Sequence, residues 1–190
     1  MLARFARFLL RIGGWTIIGE RPAVPRAVVI AAPHTSNWDG YWALVCKVAL
    51  KIDNIHFFGK HSLFWFPLGN ILRAMGGIPL DRGRAGSAVE QAVELLQGEE
   101  DVLFGLAPEG TRKRRDHWKT GFYRIAREAN VPVVLAFLDF GRRRIGLGPT
   151  LYLTGNVDMD MDIIRGHYSK IEGHHPENAS DIEFPENSGL

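Results

Sequence analysis

The chain has 190 residues, 46% hydrophobic and 23% charged, a composition that suits one folded domain with its own core and excludes a disordered or collagen-like polymer. Its formal net charge is only +2, yet all 23 Lys and Arg lie at or before Lys170 while five of the 21 acidic residues follow it, so residues 1–170 carry a net +7. With Cys46 as the only cysteine, an intrachain disulfide is excluded and a reducing, cytoplasmic setting is expected. The longest run without Asp, Glu, Lys or Arg, 145–157, has 13 residues, short of the roughly 18–20 that a spanning helix needs.

At about 100° per residue, Leu2, Phe5, Leu9 and Ile12 share one face of an N-terminal helix while Arg4, Arg7 and Arg11 share the opposite one. Two readings stand for this segment, 1–20. Its apolar side enters a bilayer surface while the arginines meet anionic head groups, or it docks on the protein's own core with a solvated Arg face. Arg7 and Arg11 interrupt the apolar stretch and no small-residue cleavage site follows, so a signal peptide is not expected.

The apolar run 27–32, ended by Pro33, predicts a buried strand running into a loop. A helix over 39–51, a strand at 54–58, a helical stretch over 61–75 interrupted at Pro67 and a short strand at 78–80 follow. Residues 85–97 place Ala88, Val89, Ala92, Val93, Leu95 and Leu96 at helical spacing, with Gly98 as the stop. Strands at 102–106 and 131–138 flank a helix over 122–129, and Pro132 suggests a sheet edge or the start of the strand. This alternation predicts an α/β fold: a single layered domain with a central, mostly parallel mixed sheet flanked by helices. Residues 173–190 read as a loose, polar, acidic tail.

In such sheets, reactive groups sit in loops at the carboxyl ends of strands. The loop 33–40, PHTSNWDG, carries His34 and Asp39. An imidazole can take a proton from a hydroxyl while a carboxylate on its far nitrogen holds the tautomer. The plain alternative is an ordinary loop histidine with Asp39 capping the next helix. The loop 107–115, APEGTRKRR, gathers Glu109, Gly110, Thr111 and Arg112 after the strand at 102–106, a set able to hold an anionic group. Asp81 and Arg82 end a further turn. No dinucleotide or phosphate-loop pattern is present, and the histidines lack metal-ligand spacing, so no metal is expected. Basic clusters at 112–115 and 142–144 allow a nucleic-acid surface without requiring one. The aromatic stretch 61–66, with Phe57 and Phe58 before it, is either core or the lining of an apolar channel.

Taken in order, His34 and Asp39, Gly76 to Arg82, Pro108-Glu109-Gly110-Thr111-Arg112, and Val131-Pro132-Val133-Val134 resemble the four motifs of the glycerophospholipid acyltransferases, over roughly residues 27–138. Lys60, Leu63, Pro67 and Lys119-Thr120-Gly121 are similar to the connecting segments. The chain departs from the pattern at Pro33, Pro79, Ala107 and Leu135, in segments that shape the acceptor and acyl-chain sites. The resemblance implies acyl transfer from acyl-CoA or acyl carrier protein to a lysophospholipid, foremost 1-acyl-sn-glycerol-3-phosphate, without a further cofactor. It implies His34 as base, Asp39 as its orienting acid, and Arg82, Glu109, Gly110, Thr111, Arg112 and Lys119 as the acceptor's binding set. A peripheral position on the cytoplasmic face of a membrane follows, with no nucleic-acid partner. Another lyso-lipid acceptor, or a non-catalytic lipid-binding protein on the same fold, remains the competing expectation.

Overall fold

Every side chain of 27–30 is apolar and essentially excluded from solvent, and the residues alternate between two cores. This is the signature of a strand buried on both faces. It is the centre of the fold in the computed structural model, which describes residues 1–80 and 88–190. Among the described residues the strands are β1 (Thr16–Ile18), β2 (Arg26–Ala32), β3 (Ile55–Lys60), β4 (Gly77–Leu80), β5 (Val102–Leu106), β6 (Val133–Asp139) and β7 (Arg144–Leu151). They form one sheet in the order β1-β7-β6-β2-β5-β3-β4. Only β6 and β7 pair antiparallel, so the sheet is mixed and mostly parallel, as expected.

The helices are α1 (Leu2–Ile12), α2 (Asn37–Leu50), α3 (Leu68–Ala74), α4 (Ala88–Gly98), α5 (Gly121–Glu128) and α6 (Val157–Tyr168). Val28, Ile30 and Ala32 of β2 face a core shared with α4, α5 and α6, where Phe122, Leu96, Ile164 and Trp118 are buried. Ala27 and Val29 face the opposite side, with Ile52 and Leu103. A third cluster joins Ala6 and Leu10 of α1 to Cys46 and Ala49 of α2 and to Leu138 and Ile145 of the sheet.

Of the two placements open for Pro132 the structure has the second: β6 lies between β7 and β2, and Pro132 falls just before it, at the start of the strand, so no ladder N–H is lost. The stretch 144–168, unassigned in sequence, holds β7 and α6. Gly146, Gly148 and Pro149 mask the strand, and α6 is signalled only by its Asn156 cap, acidic first turn and basic last turn. The C-terminal segment is not loose. Ile182 and Phe184 pack on the main core, with the Phe184 ring 5.7 Å from that of Phe122 and 5.8 Å from that of Tyr123.

The helix α1 is both docked and exposed. Ala6 and Leu10 are buried against α2, the Arg7 Nε donates to the Ala49 carbonyl at 3.1 Å, and Gly13 lies against the Trp42 ring. The two helices therefore run antiparallel. Leu2, Phe5, Phe8 and Ile12, each more than half exposed, form a separate outward stripe. Two of the three arginines at 142–144 have local partners: Arg142 binds Asp139 and the Lys170 carbonyl, and Arg143 stands over the Trp15 ring.

Candidate active site

Strands β2 and β5 are parallel neighbours in a register that sets Ile30 opposite Leu106. Four residues beyond Ile30 comes His34, and three beyond Leu106 comes Glu109, so both loops emerge side by side at one sheet edge. The chain after β2 turns at once into α2, and the turn is fixed by a capping box. Ser36, extended at φ −147°, accepts from the Trp38 N–H at 3.2 Å, while the Asp39 carboxylate accepts from the Ser36 N–H at 2.8 Å.

The same Asp39 oxygen, Oδ2, accepts from the Thr35 N–H at 2.7 Å and lies 3.2 Å from His34 Nδ1. Asp39 is therefore not the N-cap, which is Ser36, but the N3 member of the capping box, and the same carboxylate oxygen that closes the box faces the imidazole. With a proton on the nitrogen that faces the carboxylate, Nε2 is the basic one. Asp39 is 3% and the His34 side chain 26% exposed, so the acid is sealed and the base reaches solvent. Nε2 has no hydrogen-bond partner among the described residues. Asp39 Oδ1 is buried with no hydrogen-bond partner among the described residues, so the carboxyl group is held through Oδ2 at the N-terminal end of α2.

Glu109 does not take the place expected of a substrate contact. It is 1% exposed; Oε1 accepts from the His34 N–H at 2.7 Å, and Oε2 accepts from the Ser180 hydroxyl at 3.3 Å. Burial pushes its carboxyl up, opposed by the bonds from His34 and Ser180 and by the His34 charge, and aided by the Asp39 charge. Its role is to tie the second loop to the first. Gly110 has φ +67°, and a side chain there would collide with the Lys119 methylenes, which lie over it. The Lys119 N–H also donates to the Pro108 carbonyl at 2.9 Å. Thr111 Oγ1 accepts from the Lys113 N–H at 3.3 Å. Arg112 is exposed and has no ion-pair partner among the described residues. Arg82 lies outside the described residues.

Sequence reasoning did not find Ser180 or the long-range contact of Thr35. Thr35 Oγ1 accepts from the His175 N–H at 3.1 Å, joining the C-terminal segment to the His34 loop. Nothing in the sequence around Ser180 marks it, because its partner lies 71 positions earlier. The aromatic stretch is divided: Phe58 stacks edge-on with Phe104 at 4.8 Å inside the core, whereas Trp65 and Phe66 are 60% and 80% exposed. Trp38 and Tyr41, also exposed, stand beside the capping box.

Cys46 is buried, which pushes its thiol up to about 12 and leaves it un-ionised at neutral pH. Among the described residues no group of acidic, His and Cys side chains forms a metal site. No helix among them is long and apolar enough to cross a membrane. The arrangement sets the His34 imidazole against Asp39 through Nδ1 and leaves Nε2 without a hydrogen-bond partner among the described residues.

A family model described as Acyltransferase matches residues 16–136, well over half of the chain and a span that takes in both loops of the site. No curated protein and no solved structure matches.

Proposed function

Since the chain belongs to the acyltransferase family, we propose that it moves a fatty acyl group from acyl-CoA or acyl carrier protein to the hydroxyl of a lysophospholipid, foremost 1-acyl-sn-glycerol-3-phosphate. The observation that carries this reading is the His34–Asp39 pair, 3.2 Å apart, with the His34 side chain 26% exposed. In the proposed reaction Nε2 takes the proton of the acceptor hydroxyl as its oxygen attacks the thioester carbonyl carbon. The carbon–sulfur bond then breaks, and the leaving thiolate takes the proton back from Nε2. The Asp39 charge stabilises the imidazolium formed in between. No acyl-enzyme is needed, which agrees with the buried, un-ionised Cys46.

Arg112 and Lys119, at the edge of the same loop, supply positive charge for the acceptor's phosphate, with Gly110 and Thr111 shaping the turn between them. Arg82 belongs to the same proposed set. Glu109 serves that set by holding the loop rather than by touching the acceptor.

The acceptor is an amphiphile, so the proposal extends to the cytoplasmic surface of a membrane. Support comes from the outward stripe Leu2, Phe5, Phe8 and Ile12 beside exposed Arg4 and Arg11. Trp65 and Phe66, which follow β3 at the carboxyl edge of the sheet, add apolar surface on the side where the acceptor must arrive.

Two measurements test the reading. Purified protein is incubated with acyl-CoA or acyl carrier protein and lysophosphatidic acid, and thiol release is followed together with diacyl product. His34→Ala is expected to lower turnover by about 10²–10⁴-fold; equal rates for the two proteins would overturn the base assignment. Transfer only to lysolipids without a phosphate would move the acceptor away from the phosphatidate class. Removing residues 1–14 is expected to weaken co-sedimentation with anionic liposomes, and undiminished binding would reject the interfacial helix.

A further inference from the structure

Beyond residue 136, where the family match ends, the chain returns to the active-site edge and touches both of its loops. The segment meets the first loop at Thr35 Oγ1, through the His175 N–H at 3.1 Å, and the second at Glu109, through the Ser180 hydroxyl at 3.3 Å. Two further bonds seat it: the Arg115 N–H donates to Ser180 Oγ at 3.1 Å, and the Trp118 N–H donates to the Glu183 carbonyl at 2.9 Å.

The polarity of these bonds fixes what Ser180 does. A backbone N–H only donates, so Ser180 Oγ must be the acceptor towards Arg115, which leaves its single O–H for Glu109 Oε2. The opposite oxygen of Glu109 takes the His34 N–H at 2.7 Å. A continuous chain therefore runs from the Arg115 N–H through the Ser180 hydroxyl and the Glu109 carboxylate to the backbone of the catalytic imidazole. Ser180 is 7% and Glu109 1% exposed, so water does not substitute freely for either partner.

We propose that Ser180 is a positioning residue for the acyl transfer: it holds the Glu109 carboxylate in the orientation that fixes the His34 backbone, and the C-terminal segment is thereby part of the active site. The inference rests on the His34 reading above, but its first test does not depend on the identity of the substrates. Losing the Ser180 donor removes one of the bonds that favour ionised Glu109. The titratable groups that face this carboxylate are His34 from the first loop and Asp39 from α2. Lys119 lies over the neighbouring Gly110, while on the C-terminal segment Asp181 is engaged by Arg114 and Glu183 by His117.

The experiment compares the full chain with Ser180→Ala, Ser180→Cys and Phe184→Leu. The last variant loosens the same segment without touching Glu109. Hydrogen exchange at the His34 amide and the 13C titration of the Glu109 carboxyl, assigned with Glu109→Gln, are read in each. Expected are faster exchange at His34 and an upward move of the Glu109 midpoint in Ser180→Ala, smaller changes of the same sign in Ser180→Cys with its weaker donor, and neither change in Phe184→Leu. If Ser180→Ala does not fold, Ser180→Cys alone decides. Unchanged exchange and midpoint in a folded Ser180 variant, or equal changes in Phe184→Leu, overturn the proposal. With acyl-CoA as donor, kcat is expected to fall on the order of ten-fold in Ser180→Ala at unchanged KM, whereas a loss confined to KM would also overturn it. If no acceptor of any kind is acylated by the wild type, the acyl-transfer reading fails, and the exchange and titration results still decide whether Ser180 positions His34.

Discussion

One carboxylate oxygen, Asp39 Oδ2, accepts from the Thr35 and Ser36 amides and faces His34 Nδ1. The amides fix where the oxygen is, and the oxygen faces the imidazole, so His34 is placed by the same bonds that start a helix. Glu109 does the complementary work on the backbone side of His34. Its position has a consequence for stability. Burial raises its carboxyl above the ordinary 4.5, so the folded state holds this proton more tightly than the unfolded chain does. The resulting stabilisation is complete below 4.5 and is lost as pH rises through the folded value. Glu109→Gln removes the titration while keeping an acceptor for the His34 N–H. The wild-type unfolding free energy minus that of Glu109→Gln is therefore expected to fall with rising pH across this window and then level off. A difference that stays flat from pH 4 to 8 would show that Glu109 does not titrate on folding.

At the scale of elements, α2 begins where the reactive loop ends, and its cap serves both. Ser36→Ala removes the acceptor for the Trp38 N–H but leaves Asp39 in place, so the expected cost is about 1 kcal/mol of stability with most of the turnover retained. Asp39→Ala removes the N3 half of the capping box and the orienting charge together, and turnover is expected to collapse beyond what its loss of stability explains. Chemical denaturation and rate measurements on the two variants separate the roles; equal rate losses would show that the cap alone matters. The helix α1 shows a related division of labour. Buried Ala6 and Leu10 dock it on α2, and their small combined surface leaves the larger apolar side chains outside.

At the scale of the molecule, the C-terminal segment closes the fold across the active-site edge. Two of its acidic residues are placed against the basic loop, Asp181 on Arg114 at 3.1 Å and Glu183 near His117 at 3.4 Å. Pairs this exposed contribute little, about 0–1 kcal/mol, so the segment is held chiefly by Ile182, Phe184 and the backbone bond from Trp118. Phe184→Ala is accordingly expected to lower stability by about 2 kcal/mol, whereas neutralising Asp181 as Asn moves the melting temperature little. If raised salt released the segment as effectively as the Phe184 truncation, the charges rather than the apolar contacts would be holding it. Hydrogen exchange at the Trp118 amide reads the release directly.

The α/β alternation, the buried β2 strand and the His34 and Asp39 loop were legible in the amino-acid order, because each depends on neighbours within a few positions: an apolar run, a helical period, a cap. The strand β7 and helix α6 were not. Glycines and a proline break the pattern of the first, and an acidic first turn disguises the second as polar surface. Glu109 was expected to touch the acceptor, and its contacts in the fold were not legible, since its partners, His34 and Ser180, are 75 and 71 positions away. The acidic tail was expected to be loose, because Ile182 and Phe184 meet their partners only in the folded core. Local periodicity and turn chemistry determine which elements form and where the loops between them lie. Which of the polar residues face substrate and which are sealed inside as braces is decided by the sheet order, because only parallel pairing of β2 with β5 brings distant loops to one edge and lets the chain's end close over them.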